Sequence, residues 1–190
     1  EFSSEKFSLP FSFVYVGRLA REKGILDLLY CFLNLSKIYK NISLLLVGEL
    51  DERDPIERKN LDMIKNNDFI YWAGDVKDVR PYLHLSSCLV LPSHREGFPN
   101  VLLEAMSMEV PVISTAVYGA TELIDEGKNG WLVPTKDLNS LEQTMAKCLC
   151  LSHSDRKKIG RHGRYTIKKY YEHKYQNIAM HKFYKSLANI

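Results

Sequence analysis

Short apolar runs that barely alternate place the tightest limit on what this chain can fold into. FSFVYV (Phe11 to Val16), ISLLLV (Ile42 to Val47), CLVL (Cys88 to Leu91) and VPVIS (Val110 to Ser114) are too short for helices and too evenly apolar for strands with one wet face. Strands of this kind lie in parallel sheets covered by helices on both sides. Phe69 to Ala73 and Gly130 to Val133 bring the set to six. Helical patterns alternate with them. Ile25 to Tyr39 carries apolar residues at 25, 28, 29, 32, 35 and 38, which form one stripe at helical spacing. Pro55 to Lys65, Val79 to Leu85, the stretch after Pro99, Leu138 to Cys150 and the tail from Asp155 read as further helices. The fold expected is α/β, a Rossmann-like three-layer sandwich with a mostly parallel six-stranded sheet. Ligands of such sheets bind at the carboxyl ends of the strands, near a switch in strand order.

The densest chemistry on that layer is HREGFPNVLLEAM, His94 to Met106. It holds Glu96 and Glu104, with a turn between them and a helix starting inside the interval. Pro99 suits a helix start, and the exposed amides of Asn100 and Val101 would form an anion site at the helix N-terminus. Glu104 lies four residues past Asn100, on the same face about one turn deeper, while Glu96 stays in the loop. Ionised carboxylates only accept hydrogen bonds, which suits sugar hydroxyls and repels bare phosphate. A ligand with phosphate in the middle and hydroxyls at both ends, such as a nucleotide-sugar, matches the layout. Taken alone, the spacing of the two glutamates favours a solvated loop residue and an ordinary helix residue; the neighbouring GFPN and the strand before it raise the functional reading above that.

After the first strand comes GRLAREKG, Gly17 to Gly24. It is neither a Walker loop nor the G-x-G-x-x-G dinucleotide fingerprint. Arg18 leaves the strand end and Lys23 precedes a helix start, so the two could neutralise a diphosphate across the crevice from the Asn100 amides. Arg21 and Glu22 read as surface. In GDVKDV, Gly74 to Val79, the loop could offer backbone groups to a base edge, or form a plain turn with Asp78 as a helix cap. His94 invites a general-base role, but a loop histidine that merely lies near the site is the better reading, and His84 is weaker still. No D-x-D pair is present to hold a metal–diphosphate: Asp51 and Asp54 are separated by two residues and followed by Pro55.

Charge and cysteine content narrow the classes further. No apolar run approaches the roughly 20 residues of a membrane span, and no signal-peptide pattern opens the chain. Cys31, Cys88, Cys148 and Cys150 lack metal-site spacing and read as reduced thiols in a cytoplasmic protein. Net charge is +3, but His153 to Ile190 holds 10 Lys or Arg against 2 acids, leaving 16 against 21 elsewhere. A basic tail of this sort is by default a solvated helix face. Its alternative is loose contact with an anionic membrane surface on the cytoplasmic side. No nucleic-acid reader motif accompanies it, so nucleic acid is not an expected partner.

Taken together, EGFPNVLLEA, PVISTAVYGATELIDEGKNGWLVP and the upstream GRLAREKG resemble the family 4 (group 1) glycosyltransferases of GT-B architecture. The likeness runs from about Phe11 through IGRHGR (Ile159 to Arg164) into the tail. It implies half of a GT-B fold, the C-terminal, donor-binding half. It also implies transfer of a sugar from a nucleotide donor, most often a UDP-sugar, with retention at the anomeric carbon and no required metal or other cofactor. Arg18 and Lys23 would hold the donor diphosphate, and Glu96 would bind the sugar hydroxyls. Gly17 belongs to the same donor site, and peptide groups of Gly97, Phe98 and Pro99 would line the sugar. The Asn100 and Val101 amides would reach the distal phosphate, Glu104 both ribose hydroxyls, and Val76 and Lys77 the base. Arg18, Lys23 and Glu96 would thus serve the reaction directly, with neither glutamate acting as a nucleophile.

The resemblance implies an acceptor that is a glycan or lipid-linked saccharide, bound through an N-terminal domain for which 190 residues leave no room. Without that domain the chain is expected to be inactive or nearly so. Residues 1–9 read as linker or added sequence, 10–152 as the nucleotide-sugar domain, and 153–190 as basic helices packing on it or toward the absent domain. Their apolar face, Tyr175, Ile178, Phe183 and Leu187, is expected to be partly exposed. Two departures from the family pattern stand out. Glu109 replaces a common glycine after the helix of Glu104, so that helix is expected to end differently. Tyr118 and Gly119 replace paired glycines after the fifth strand, where Tyr118 either narrows the sugar pocket or covers the loop. Two rival classes share the sheet: a nicotinamide dehydrogenase, which lacks its glycine fingerprint here, and a non-catalytic nucleotide-binding or interaction module.

Overall fold

The computed structural model describes residues 11–172 and Lys185. Six strands, β1 (Phe11–Val16), β2 (Ile42–Val47), β3 (Ile70–Trp72), β4 (Cys88–Leu91), β5 (Val112–Thr115) and β6 (Trp131–Val133), form one sheet in the order β3-β2-β1-β4-β5-β6. Every pairing is parallel, so the expected "mostly parallel" sheet is wholly so. Among the described residues seven α-helices surround it: α1 (Ile25–Ile38), α2 (Arg58–Lys65), α3 (Arg80–His84), α4 (Asn100–Ser107), α5 (Ala120–Leu123), α6 (Leu138–Cys150) and α7 (His153–Tyr170). Strand order reverses between β1 and β4, and the chain leaves those two strands toward opposite faces. That is the switch point at which such sheets bind ligands.

The continuous apolar strands are explained by the two cores they separate. Phe13, Tyr15, Leu44, Leu46, Cys88, Val90, Ile113 and Trp131 point to one side, against Leu28, Phe32 and Leu35 of α1 and Leu141, Met145 and Cys148 of α6. Their neighbours Val14, Leu45, Val47, Leu89, Leu91 and Val112 point to the other, against Leu83 of α3, Leu102, Ala105 and Met106 of α4, Leu123 of α5 and Ile167 of α7. With both faces dry, the period-two alternation persists in space while vanishing from the hydropathy. Cys31, Cys88 and Cys148 are buried and Cys150 is exposed, and all are free thiols. Burial pushes the Cys31 thiol up to about 12, far from a reactive thiolate.

Boundaries differ from the sequence expectation at several ends. The helix expected from Pro55 starts at Arg58, β3 omits Phe69, and β5 begins at Val112 because Val110 and Pro111 belong to the turn after α4. Helix α5 is too short to leave a periodic signal. Helix α7 begins at His153, where the Ser152 hydroxyl accepts the Asp155 N–H at 3.1 Å and donates to the Asp155 carboxylate at 2.7 Å, a local N-cap. The residues proposed as an apolar face of the tail, Tyr175, Ile178, Phe183 and Leu187, lie outside the described residues.

Helix α4 ends as a glycine-capped helix would, against the expectation raised by Glu109. The Val110 N–H donates to the Ala105 carbonyl at 3.0 Å and the Glu109 N–H to that of Met106 at 3.1 Å. This is a Schellman closure, with Glu109 in the left-handed region at φ 62°. The loop is locked from outside, because α7 crosses it at Gly160. A Cβ on Gly160 would fall 1.8 Å from the Glu109 carbonyl oxygen. Packing of α7 therefore holds a backbone conformation that the local residue disfavours by about 1–2 kcal/mol. Residues 153–170 consequently belong to the same core as the sheet.

Relief of that strain is measurable. Glu109→Gly is expected to raise stability by about 0.5–1 kcal/mol, the left-handed penalty less the added entropy of an unfolded glycine. Gly160→Ala is expected to lower it by about 2–3 kcal/mol, since the clash is with backbone. Urea unfolding of both variants checks the pair, and a destabilised Glu109→Gly would refute the strain.

Candidate functional site

The crevice between β1 and β4 is assembled from loops that continue the sheet past its strand ends. Gly17 donates its N–H to the Val47 carbonyl at 2.9 Å and Leu19 to that of Glu49 at 2.7 Å, so the β1 and β2 exits run side by side. Tyr15, fully buried, donates its hydroxyl to the Arg18 carbonyl at 2.6 Å and fixes the turn out of β1. Burial raises the Tyr15 phenol far above its ordinary value, and the negative charge of Glu96 adds to the effect. A 3-10 turn over Arg21–Lys23 then leads to Gly24 at φ 67°, which opens α1. A Cβ there would sit 2.0 Å from the carbonyl oxygen of Pro92, just past the end of β4. Glycine at this position lets the two loops touch.

That contact brings Lys23 to Glu96. The ammonium lies 2.9 and 3.0 Å from the two carboxylate oxygens, with both side chains mostly buried. Ser93, fully buried, donates its hydroxyl to the same carboxylate at 2.7 Å, and the Thr115 hydroxyl at the end of β5 donates to the Ser93 carbonyl at 2.5 Å. Glu96 is therefore held by a cation from one loop and a hydroxyl from its own. His94 does not face the crevice as a free base. Its Nε2 meets the Asp27 carboxylate at 2.7 Å and its N–H donates to the Glu22 carbonyl at 2.9 Å, tying the loop to the start of α1.

Arg18 stands beside a cavity of about 230 Å³ lined by Gly17, Val76, Gly48, Glu49, Asp75 and Val79, among others. Its guanidinium pairs with Asp51 and, at 3.2 Å, with Glu22. Glu22 and Arg21 are exposed, as the surface reading has it, and Arg21 meets Asp54 at 2.9 Å. Val76 lines the cavity, whereas Lys77 is exposed and does not. Asp78 is not the cap proposed for it, since Val79 holds the N-cap position of α3 without a side-chain cap bond; Asp78, one residue earlier, accepts the Arg80 N–H at 3.0 Å and pairs with the Arg80 side chain.

Helix α4 starts after Pro99 with no side-chain cap; the Leu102 N–H donates to the Pro99 carbonyl at 3.0 Å, and the N–H groups of Asn100 and Val101 stand ahead of it at the helix start. Pro99 itself has no N–H, so within the Gly97–Pro99 stretch only Gly97 and Phe98 carry a backbone donor. Glu104 is exposed on this helix. Its carboxyl is pushed above the usual range, first by partial burial and then by the Asp78 carboxylate. Gly119 packs on the Gly97 carbonyl and Pro99, placing the exposed Tyr118 next to the Gly97–Pro99 stretch without burying it. Phe98 is half-exposed, with its ring 6.1 Å from that of Tyr171. Residue reading missed Ser93, Gly24, Asp51 and Asp54. Ser93 had one local signal, a hydroxyl three residues before Glu96 in the same turn.

Among the described residues no group of three or more His, Cys, Asp or Glu side chains is arranged to hold a metal, and no helix is long and apolar enough to cross a membrane. Residues 10–150 match the family described as glycosyl transferases group 1, and the chain belongs to that family. The capsular polysaccharide biosynthesis glycosyltransferase CapM of Staphylococcus aureus is 35% identical over 151 residues, 79% of this chain and 39% of CapM. The chain thus spans well under half of such a relative. The fold matches the C-terminal domain of a glycosyl transferase group 1 family protein, LpcC, from Francisella tularensis. That match has a TM-score of 0.79 at 23% identity and covers 91% of this chain and 94% of that one. It also matches HepE from Anabaena, solved in complex with UDP, with a TM-score of 0.84 at 20% identity over 97% of this chain and 54% of that one.

Two outcomes test this geometry. Gly24→Ala is expected to cost about 2–4 kcal/mol, from the left-handed backbone and the clash with Pro92, in thermal or urea unfolding. Wild-type stability would refute the contact. Glu104 has a folded pKa above its unfolded value near 4.5, so its contribution favours the fold below that pH and is lost as pH rises through the folded value. Glu104→Gln should therefore melt above the wild type at pH 7, with the advantage gone near pH 4. A constant difference across that range would refute the shift.

Proposed function

We propose that this chain is the donor-binding half of a retaining glycosyltransferase that moves a sugar from a nucleotide donor, a UDP-sugar, to a glycan or lipid-linked acceptor. The observation that carries the reading is the Lys23–Glu96 pair across the β1–β4 switch point, with Arg18 beside the adjoining cavity. The pair joins a group that suits phosphate to one that suits hydroxyls, as the joint between a diphosphate and a sugar requires. Family membership and the UDP complex of HepE support the choice of ligand.

On this reading Lys23 and Arg18 take the diphosphate, Lys23 exchanging its carboxylate partner for phosphate oxygen as donor enters. Glu96, kept in place by Ser93, then accepts hydrogen bonds from the sugar. The amides that open α4 meet the distal phosphate. Glu104 receives the ribose hydroxyls, and the Val76 loop meets the base. Bond cleavage at the anomeric carbon puts negative charge on the departing diphosphate. Fixed cations and amides stabilise that charge without reorganising, and this supplies most of the rate. No metal is assigned a role. The leaving phosphate takes the acceptor proton from the face it departs, which leaves the anomeric configuration unchanged. Acceptor binding belongs to a second domain, so this half alone binds donor and transfers little.

Isothermal titration with UDP is the deciding measurement. Saturable binding is expected, and Glu104→Ala should weaken it about tenfold through the loss of charged hydrogen bonds. No saturable binding at millimolar UDP would sink the reading.

A further inference from the structure

Two acidic residues that the proposed chemistry leaves unused, Asp51 and Asp54, stand behind its two cations. Both come from the loop after β2. The Asp51 side chain is only 5% exposed, accepts the Arg53 N–H at 2.9 Å and pairs with the Arg18 guanidinium. Arg18 is itself 37% exposed, so one edge is anchored inside while the rest reaches the crevice. Its other partner, Glu22, is half exposed, and an arriving phosphate can displace it. Asp54 grips the next turn. One carboxylate oxygen accepts the Glu22 N–H at 2.7 Å and the other the Arg21 Nε at 2.9 Å, clamping the 3-10 turn whose last residue is Lys23.

We propose that Asp51 and Asp54 are positioning residues that pre-order the phosphate-binding cations Arg18 and Lys23. This rests on the donor-site reading above. The physical reason is entropic. A free arginine or lysine loses rotamer freedom when it grips a phosphate, whereas one already anchored has lost it on folding. The opposing effect is that each acid partly neutralises its cation and repels phosphate. Burial of Asp51 makes anchoring the larger effect, since a buried carboxylate holds a close cation firmly, and its second partner, Arg53, is 89% exposed and stands off at 3.8 Å.

The test is titration of the 190-residue chain with UDP and with uridine, which has the same base and ribose but no phosphate. Asp51→Asn is expected to raise the Kd for UDP about tenfold and that for uridine by less than about twofold. In an Arg18→Gln background the same change should alter UDP binding by less than about twofold, because its effect passes through Arg18. Asp54→Ala, which leaves the core intact, should weaken UDP binding about threefold to fivefold. Unchanged or tighter UDP binding in both single variants overturns the inference while the donor reading stands. Equal losses for UDP and uridine, or a full loss from Asp51→Asn without Arg18, overturn it in favour of a merely structural role. If wild-type protein binds no UDP, the donor reading itself falls and takes this inference with it.

Discussion

Where Gly24 meets Pro92, backbone lies against backbone with no side chain between, and the rest of the site depends on that approach. The sheet places β1 beside β4, but adjacent strands alone would leave their exit loops separated by side chains. A glycine in the left-handed conformation closes the gap and starts α1 in the same step. Lys23, one residue earlier, is thereby delivered to Glu96, and Glu96 is met from its own loop by Ser93. The candidate centre is a consequence of close packing between two exits that are about 70 residues apart in the chain.

Around that contact the molecule keeps several groups in states they would not choose alone. Glu104 sits where neighbouring carboxylate and partial burial disfavour its charge. Glu109 holds a left-handed turn under α7. The two cases differ in kind. The first is an exposed carboxyl on the helix that follows β4, and in the proposed function its cost is tied to binding hydroxyl donors. The second lies under the crossing of α4 and α7, where it secures the helix that carries Glu104. Strain of that sort persists because the surrounding packing over-determines the backbone.

Much of the fold was legible because burial on both faces removes alternation and leaves compact apolar words such as ISLLLV, which are too short to be helices of their own. Cys88 to Leu91 and Ile42 to Val47 were read with their true limits for this reason. Ends set by tertiary contacts were read less well. Nothing local marks Arg58 rather than Pro55 as a helix start, and the four residues of α5 are too few to show a period. In the site, the glutamates and cations were legible as types, since acceptor-only and donor-only groups around an anion-binding turn limit the chemistry. Their supports were not. Asp51 and Asp54 looked like failed metal ligands.

By itself the sequence determined the layers, the parallel sheet, the loops that carry Arg18, Lys23, Glu96 and Glu104, and the resemblance that family membership then bore out. Those follow from short-range rules: period, turn chemistry, and the donor or acceptor character of each side chain. Only the tertiary structure decided that β1 lies between β2 and β4, that Lys23 grips Glu96, that Asp51 backs Arg18, and that Glu109 turns left-handed beneath Gly160. Each of these joins segments brought together by strand order and helix crossing. A local apolar pattern says that a strand is buried, but it carries no information about which strand lies beside it.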